Sequence, residues 1–113
     1  MKAFRTMAVL AAFSIIAGMA IHRKELPDEV FLDLLPIIVR EATDERNFVR
    51  KAVNWALRQI GKRNERLCKK AIAVAKQMQK KNDAASKWIA ADALRELERY
   101  QKEGKIKNVG TQI

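Results

Sequence analysis

The sequence predicts an all-α chain of about five antiparallel helices, stacked as repeats into an α-α superhelix. Three observations carry that expectation. Only four Gly and two Pro interrupt 113 residues that are 49% hydrophobic and 32% charged, which is too few turn formers for a strand-and-turn fold and too apolar for disorder. Apolar residues recur at helical spacing along most of the chain. Ala56-Leu57-Arg58-Gln59-Ile60 returns 37 residues later as Ala93-Leu94-Arg95-Glu96-Leu97, about the length of one helix pair and slightly short of a HEAT-type unit.

The opening stretch, MKAFRTMAVLAAFSIIAGMA, admits two readings. Lys2 and Arg5, an apolar run and Gly18-Met19-Ala20 resemble an export signal. The apolar run nevertheless continues to Ile21 and ends in His22-Arg23-Lys24, as a helix with a basic last turn would. An echo of AAFSIIAGMAIHRK about forty residues on, in KAVNWALRQIGKRN, favours a buried first helix. His22 then reads as a helix-end residue.

Pro27 with Asp28 and Glu29 starts a second helix, running to about Ala42 with Val30, Phe31, Leu34, Leu35, Ile38 and Val39 inward. Pro36 is expected to kink it. Thr43 is expected to cap a third helix, with Asp44 and Glu45 in its first turn. Its inward series is Phe48, Val49, Ala52, Val53, Ala56, Leu57 and Ile60, and Gly61 is its expected stop. Asn64 caps a fourth helix with Leu67, Ala71, Ile72, Ala75 and Met78 inward. Asn82-Asp83 opens a fifth, Ala84 to about Gln101, with Trp88, Ile89, Ala93, Leu94 and Leu97 as its apolar positions, and Gly104 closes it. Connections of two to four residues set neighbouring helices antiparallel. One domain over 1–103 and a flexible tail over 104–113 follow.

The net charge is +10, and its placement is uneven. Residues 43–81 carry twelve Lys/Arg against three Asp/Glu, a local excess of nine. That points to a polyanion such as nucleic acid, ahead of an anionic membrane. One Cys and one His give no internal disulfide and no zinc pattern, and there is no phosphate loop or nucleophile motif. No cofactor or metal is expected. The single thiol, Cys68, favours a reducing compartment, the cytoplasm.

Lys51, Trp55, Arg58 and Lys62 step by four, three and four and share one stripe beside the apolar face. Cations that hold phosphates around an indole that stacks or packs suit a DNA surface, and Arg63 is counted with them. Asp92, at the repeat position of Trp55, is expected to make a structural hydrogen bond to a neighbouring helix.

ATDERNFVRKAVNWALRQIGKRN followed by SKWIAADALREL resembles the DNA alkylation repair enzymes, the D-type alkylpurine DNA glycosylases built from HEAT-like repeats. The likeness runs from about Ala11 to Arg99. It implies a curved helical solenoid whose basic concave face holds duplex DNA, alkylated in the family's substrates. Trp55 and Arg58 match the tryptophan and arginine of the family's KA-x-x-W-x-LR motif, whose tryptophan lines the DNA cleft. Family members are about twice as long, so the chain resembles a carboxy-terminal half. The family's catalytic aspartate and partner aromatic belong to the other half, and a family arginine falls near Leu10, where Arg5 could substitute only by a shift of register. No residue is therefore assigned a catalytic role, and no glycosylase activity is expected from the chain alone. Self-association or pairing with a separate amino-terminal half would cover its open apolar end. The alternatives are a non-catalytic helical module that binds a protein partner, or an exported basic helical protein.

Overall fold

Asn64 and Asp83 start helices as their positions require: Asn64 Oδ1 accepts from the Leu67 amide at 2.8 Å, and Asp83 Oδ2 from the Ser86 amide at 2.8 Å. The computed structural model describes residues 2–44 and 46–105, with side chains described from Met7 onward. It comprises α1 (Lys2–His22), α2 (Asp28–Glu41), α3 (Asn47–Gly61), α4 (Glu65–Gln79) and α5 (Ala84–Glu103), with no strand among the described residues. Glu45 and the segment 106–113 of the expected tail lie outside the described residues, as does the side chain of Arg5.

The helices form two layers. Contacts between α3 and α5 pair residues in ascending order on both helices, so the two run parallel. Packed against α3 on its other side, α1 ends beside the end of α3, where Arg63 reaches the Ala20 carbonyl. In the second layer α2 and α4 start together: Asn64 Nδ2 donates to Asp28 Oδ1 at 2.9 Å, and a groove of about 650 Å³ follows both helices from Leu32 and Arg66 to Val39 and Gln77. Alternate helices run parallel and successive ones antiparallel, as a repeat of helix pairs requires. The core between the layers includes Phe13, Phe31, Leu57, Ile60, Leu67, Met78, Ile89 and Leu97, all 2% exposed or less.

The opening stretch folds as α1, burying Phe13, Ile16, Ala17 and Ala20. It is apolar on nearly every side, so Met7 and Ile15 stay 70% and 62% exposed. Among the described residues no helix is long and apolar enough to cross a membrane.

Four local expectations need correction. Thr43 does not cap α3, which begins at Asn47 behind Arg46. Asp44 acts before the helix instead, accepting the Arg46 amide at 3.0 Å. Gly61 is not a left-handed stop. It is the buried last residue of α3, where an added Cβ would lie 2.7 Å from Leu97 Cδ2 and 3.2 Å from Ala71 Cβ. Its bare Cα lets three helices close together. The left-handed stop is Gly104, with φ of 69°. Phe48, expected inward, is 55% exposed, and Trp88 is 38% exposed. The first two connections are also longer than expected, 23–27 and 42–46. Pro36 leaves α2 unbroken, on the exposed side where a missing amide bond is cheapest.

Candidate nucleic-acid interface

α3 has no Asp or Glu anywhere between Asn47 and Gly61, so the carboxylates that balance it come from α5. They arrive along a ladder of pairs separated by 38 residues. At its first rung the Arg50 guanidinium lies 4.4 Å from the centre of the Trp88 ring. Next, Asn54 Nδ2 donates to Asp92 Oδ2 at 2.7 Å. Arg58 Nη1 then donates to Glu96 Oε2 at 2.7 Å. Last, Lys62 Nζ sits 4.4 Å from the centre of the Tyr100 ring and donates to Glu96 Oε1 at 3.1 Å. Steps of four on both helices keep the donors on one row of α3 and the acceptors on one row of α5. The two outer rungs are cation–π contacts and the two inner ones are charge-assisted hydrogen bonds.

These bonds fix the ionisation of the acceptors. The Asn54 hydrogen bond, with Arg58 and Arg95 nearby, holds Asp92 below the usual carboxylate range. Burial works against ionised Glu96, but hydrogen bonds from Arg58 and Lys62 outweigh it and leave its affinity for protons lowered. Arg58, Arg95 and Arg99 with Asp92 and Glu96 line a notch of about 180 Å³ between the helices. Three cations against two anions leave it weakly positive.

The five residues expected at a DNA surface therefore divide. Lys51 and Trp55 face solvent from α3, Trp55 being 36% exposed. Arg58 and Lys62 lie beside them, with side chains 25% and 12% exposed and both committed to Glu96. Arg63 is elsewhere: at 1% exposure it is a buried clamp. Its Nη1 donates to the carbonyls of Ala20 and Arg23 at 3.0 and 3.3 Å and its Nη2 to that of Leu26 at 2.9 Å. Its guanidinium covers the Phe31 ring at 4.3 Å. Burial lowers its affinity for protons, against the opposing charges of Asp28 and Glu25. Arg63 ties the end of α3 to the turn between α1 and α2 and presents no cation to a ligand.

The local excess of positive charge also splits between layers. Lys69, Lys70 and Lys76 are exposed on α4 and Lys80 just after it, and Lys70 with Arg66 lines the groove against α2. On the α3–α5 side, Arg50 was readable as an extension of the stripe, but sequence reasoning missed Asn54, Glu96, Trp88 and Tyr100, together with the exposed arginines Arg95 and Arg99. The signal was present in the repeat itself, because a contact between repeats falls one residue beyond the 37-residue equivalence. Cys68 is buried against the Leu97 carbonyl, and burial raises its thiol pKa. His22 ends α1 in solvent, and no group of three His, Cys, Asp or Glu among the described residues could hold a metal.

Neither the curated proteins nor the solved structures contain a match to the chain. The family model described as DNA alkylation repair enzyme matches residues 4–97, which takes in part or all of every helix and every residue of the ladder between α3 and α5 except Tyr100. A match over so much of the chain means that it belongs to the DNA alkylation repair enzyme family.

Proposed function

We propose that the chain is a cytoplasmic DNA-binding helical-repeat domain of this repair family, holding duplex DNA against the outward face of α3 and α5 without a complete glycosylase set of its own. The observation that carries it is the pairing of exposed Lys51 and Trp55 on a helix with no acidic residue, beside exposed Arg95 and Arg99 on α5. Cations placed along one face neutralise phosphates and release counterions, and the indole supplies an apolar contact to sugar or base. The carboxylates of this face, Asp92 and Glu96, are engaged by arginines and a lysine. A carboxylate already neutralised in this way is poorly suited to stabilise a developing sugar cation.

The test is a salt titration of duplex binding, with base release from alkylated DNA measured in parallel. Salt-sensitive binding that Lys51→Ala and the pair Arg95→Ala and Arg99→Ala weaken supports the DNA face, whereas no binding at low salt removes it. Base release by the chain alone would overturn the non-catalytic half of the proposal.

A second reading rests on α1. Its exposed Met7 and Ile15, with Ala8, Ala11 and Ala12 around them, form an apolar face that no helix among the described residues covers. A second copy, or a separate amino-terminal half, would cover that face as one repeat covers the next. A monomeric mass by light scattering at high concentration counts against self-association.

A further inference from the structure

The groove between α2 and α4 has two unlike walls. From α2 it takes only apolar side chains, among them Leu35 and Pro36, whereas α4 supplies Arg66 and Lys70 beside Ala73 and Val74. Pro36 is a costly residue inside a helix, and here its ring adds apolar surface to the wall. The groove encloses about 650 Å³. Along α4 it runs from Arg66 to Gln77, about 16.5 Å at 1.5 Å per residue, the length of about three helical turns.

The charge beside it is of one sign. After Glu65, α4 has no further Asp or Glu through Gln79. Its exposed Lys69, Lys70 and Lys76 pair with no carboxylate among the described residues. Arg66 is shared with Asp28 and Glu29, at 3.4 and 3.5 Å. Lys70 is thus the uncommitted cation of the groove, directly across from an uncharged apolar wall.

An occupant has to answer both walls. Duplex DNA meets the lysines but has no apolar side chain for the α2 wall. The chain's own residues 106–113 contain Lys107 and no acidic residue, and a second copy brings a net charge of +10 against the same sign. A helix with apolar residues at i, i+3, i+4 and i+7 and carboxylates along one flank fills the groove and meets Lys70.

We propose that the α2–α4 groove is a docking site for an acidic amphipathic helix of another protein, with the apolar stripe against α2 and the acidic flank against Lys70 and Arg66. The groove shares no residue with the α3–α5 face, so a partner held there leaves the proposed DNA surface open.

The experiment uses fluorescein-labelled synthetic helical peptides of about three turns, with Leu at i, i+3, i+4 and i+7 and Glu along one flank. Two controls carry Lys in place of Glu, or Ser in place of Leu. Anisotropy at about 0.15 M salt, where distant surface charges are screened, is read with the full chain and with variants of unchanged far-ultraviolet circular dichroism. The Leu/Glu peptide should bind about tenfold more tightly than either control. Lys70→Glu should weaken it about tenfold, whereas Lys69→Glu, the same change of charge outside the groove, should cost about threefold or less. Ala73→Glu, which fills an exposed lining position, should weaken it as Lys70→Glu does and leave duplex DNA binding within about threefold.

No binding of the Leu/Glu peptide overturns the proposal, as does equal binding of either control. Equal losses in Lys69→Glu and Lys70→Glu would reduce the contact to general charge attraction and overturn it. Competition by duplex DNA would assign the α4 lysines to nucleic acid, and a dimeric mass that the peptide dissociates would assign the groove to a second copy. Either result overturns the acidic-helix site. Loss of duplex binding in Lys51→Ala is read separately and bears on the α3–α5 face alone.

Discussion

Arg58 of α3 and Glu96 of α5 share a 2.7 Å hydrogen bond between side chains only 25% and 20% exposed, and Lys62 binds the same carboxylate. Of the three cations in the stripe, Lys51, Arg58 and Lys62, two are thereby spent between helices. Lys51 is the member of that stripe that reaches solvent without an acidic neighbour on its own helix.

Lys51→Ala should accordingly weaken DNA binding more than Lys62→Ala does. The expected difference is about threefold at moderate salt, with the log–log salt slope reduced by about 1 for Lys51→Ala and by less for Lys62→Ala. Glu96→Gln frees Arg58 and Lys62 and should tighten binding while costing stability. A salt-titrated anisotropy series on the three variants checks the order.

Arg63→Ala should destabilise the fold by about 2–4 kcal/mol, because it strands buried carbonyl acceptors and exposes the Phe31 ring's partner surface. Arg63→Lys should restore little, since an ammonium cannot reach three carbonyls and cover a ring in one plane. Urea unfolding measures the loss, and DNA affinity per folded molecule should stay unchanged.

Gly61→Ala places a methyl within 2.8 Å of both Leu97 Cδ atoms and within 3.2 Å of Ala71. Leu97 is itself buried on every side, so the clash is relieved only by shifting α5. A loss of about 1–3 kcal/mol is expected despite alanine's better helix propensity, read as a lower thermal midpoint. A rise in the midpoint would mean that the three-helix junction has slack.

Asp92 and Glu96 both hold their protons less tightly in the fold than in an unfolded chain. Their contribution to stability is therefore fully present above the ordinary carboxylate range and is lost as pH falls through the lowered folded values. Replacing both, as Asp92→Asn with Glu96→Gln, should lower stability at about pH 7 and give a flatter acid limb, the two curves drawing together only once pH has fallen below the lowered folded values. Curves that stay parallel down to acid pH would show that the pairs do not stabilise the fold.

Helices were legible wherever local chemistry decides them. Asn64, Asp83 and Gly104 carry their function in their own side chains or in the lack of one, and the apolar series of α4 is buried at every expected position. Thr43 and Gly61 mislead for one reason: several residue types suit a cap or a stop, and only neighbouring chain decides which use is made of them. For the candidate site, the stripe was readable as spacing, but its net charge was not. Arg58, Lys62 and Arg63 look alike on paper, yet Glu96 takes two of them and three backbone carbonyls take the third.

The sequence by itself determined an all-α chain, most of its helix starts and its family, because periodicity, capping and a long motif are properties of neighbours along the chain. Tertiary structure alone decided which cations remain available, why Gly61 must be glycine and that Phe48 stands in solvent. Those facts depend on what lies across an interface 38 residues away, where opposite charge, close approach and missing cover are set by packing.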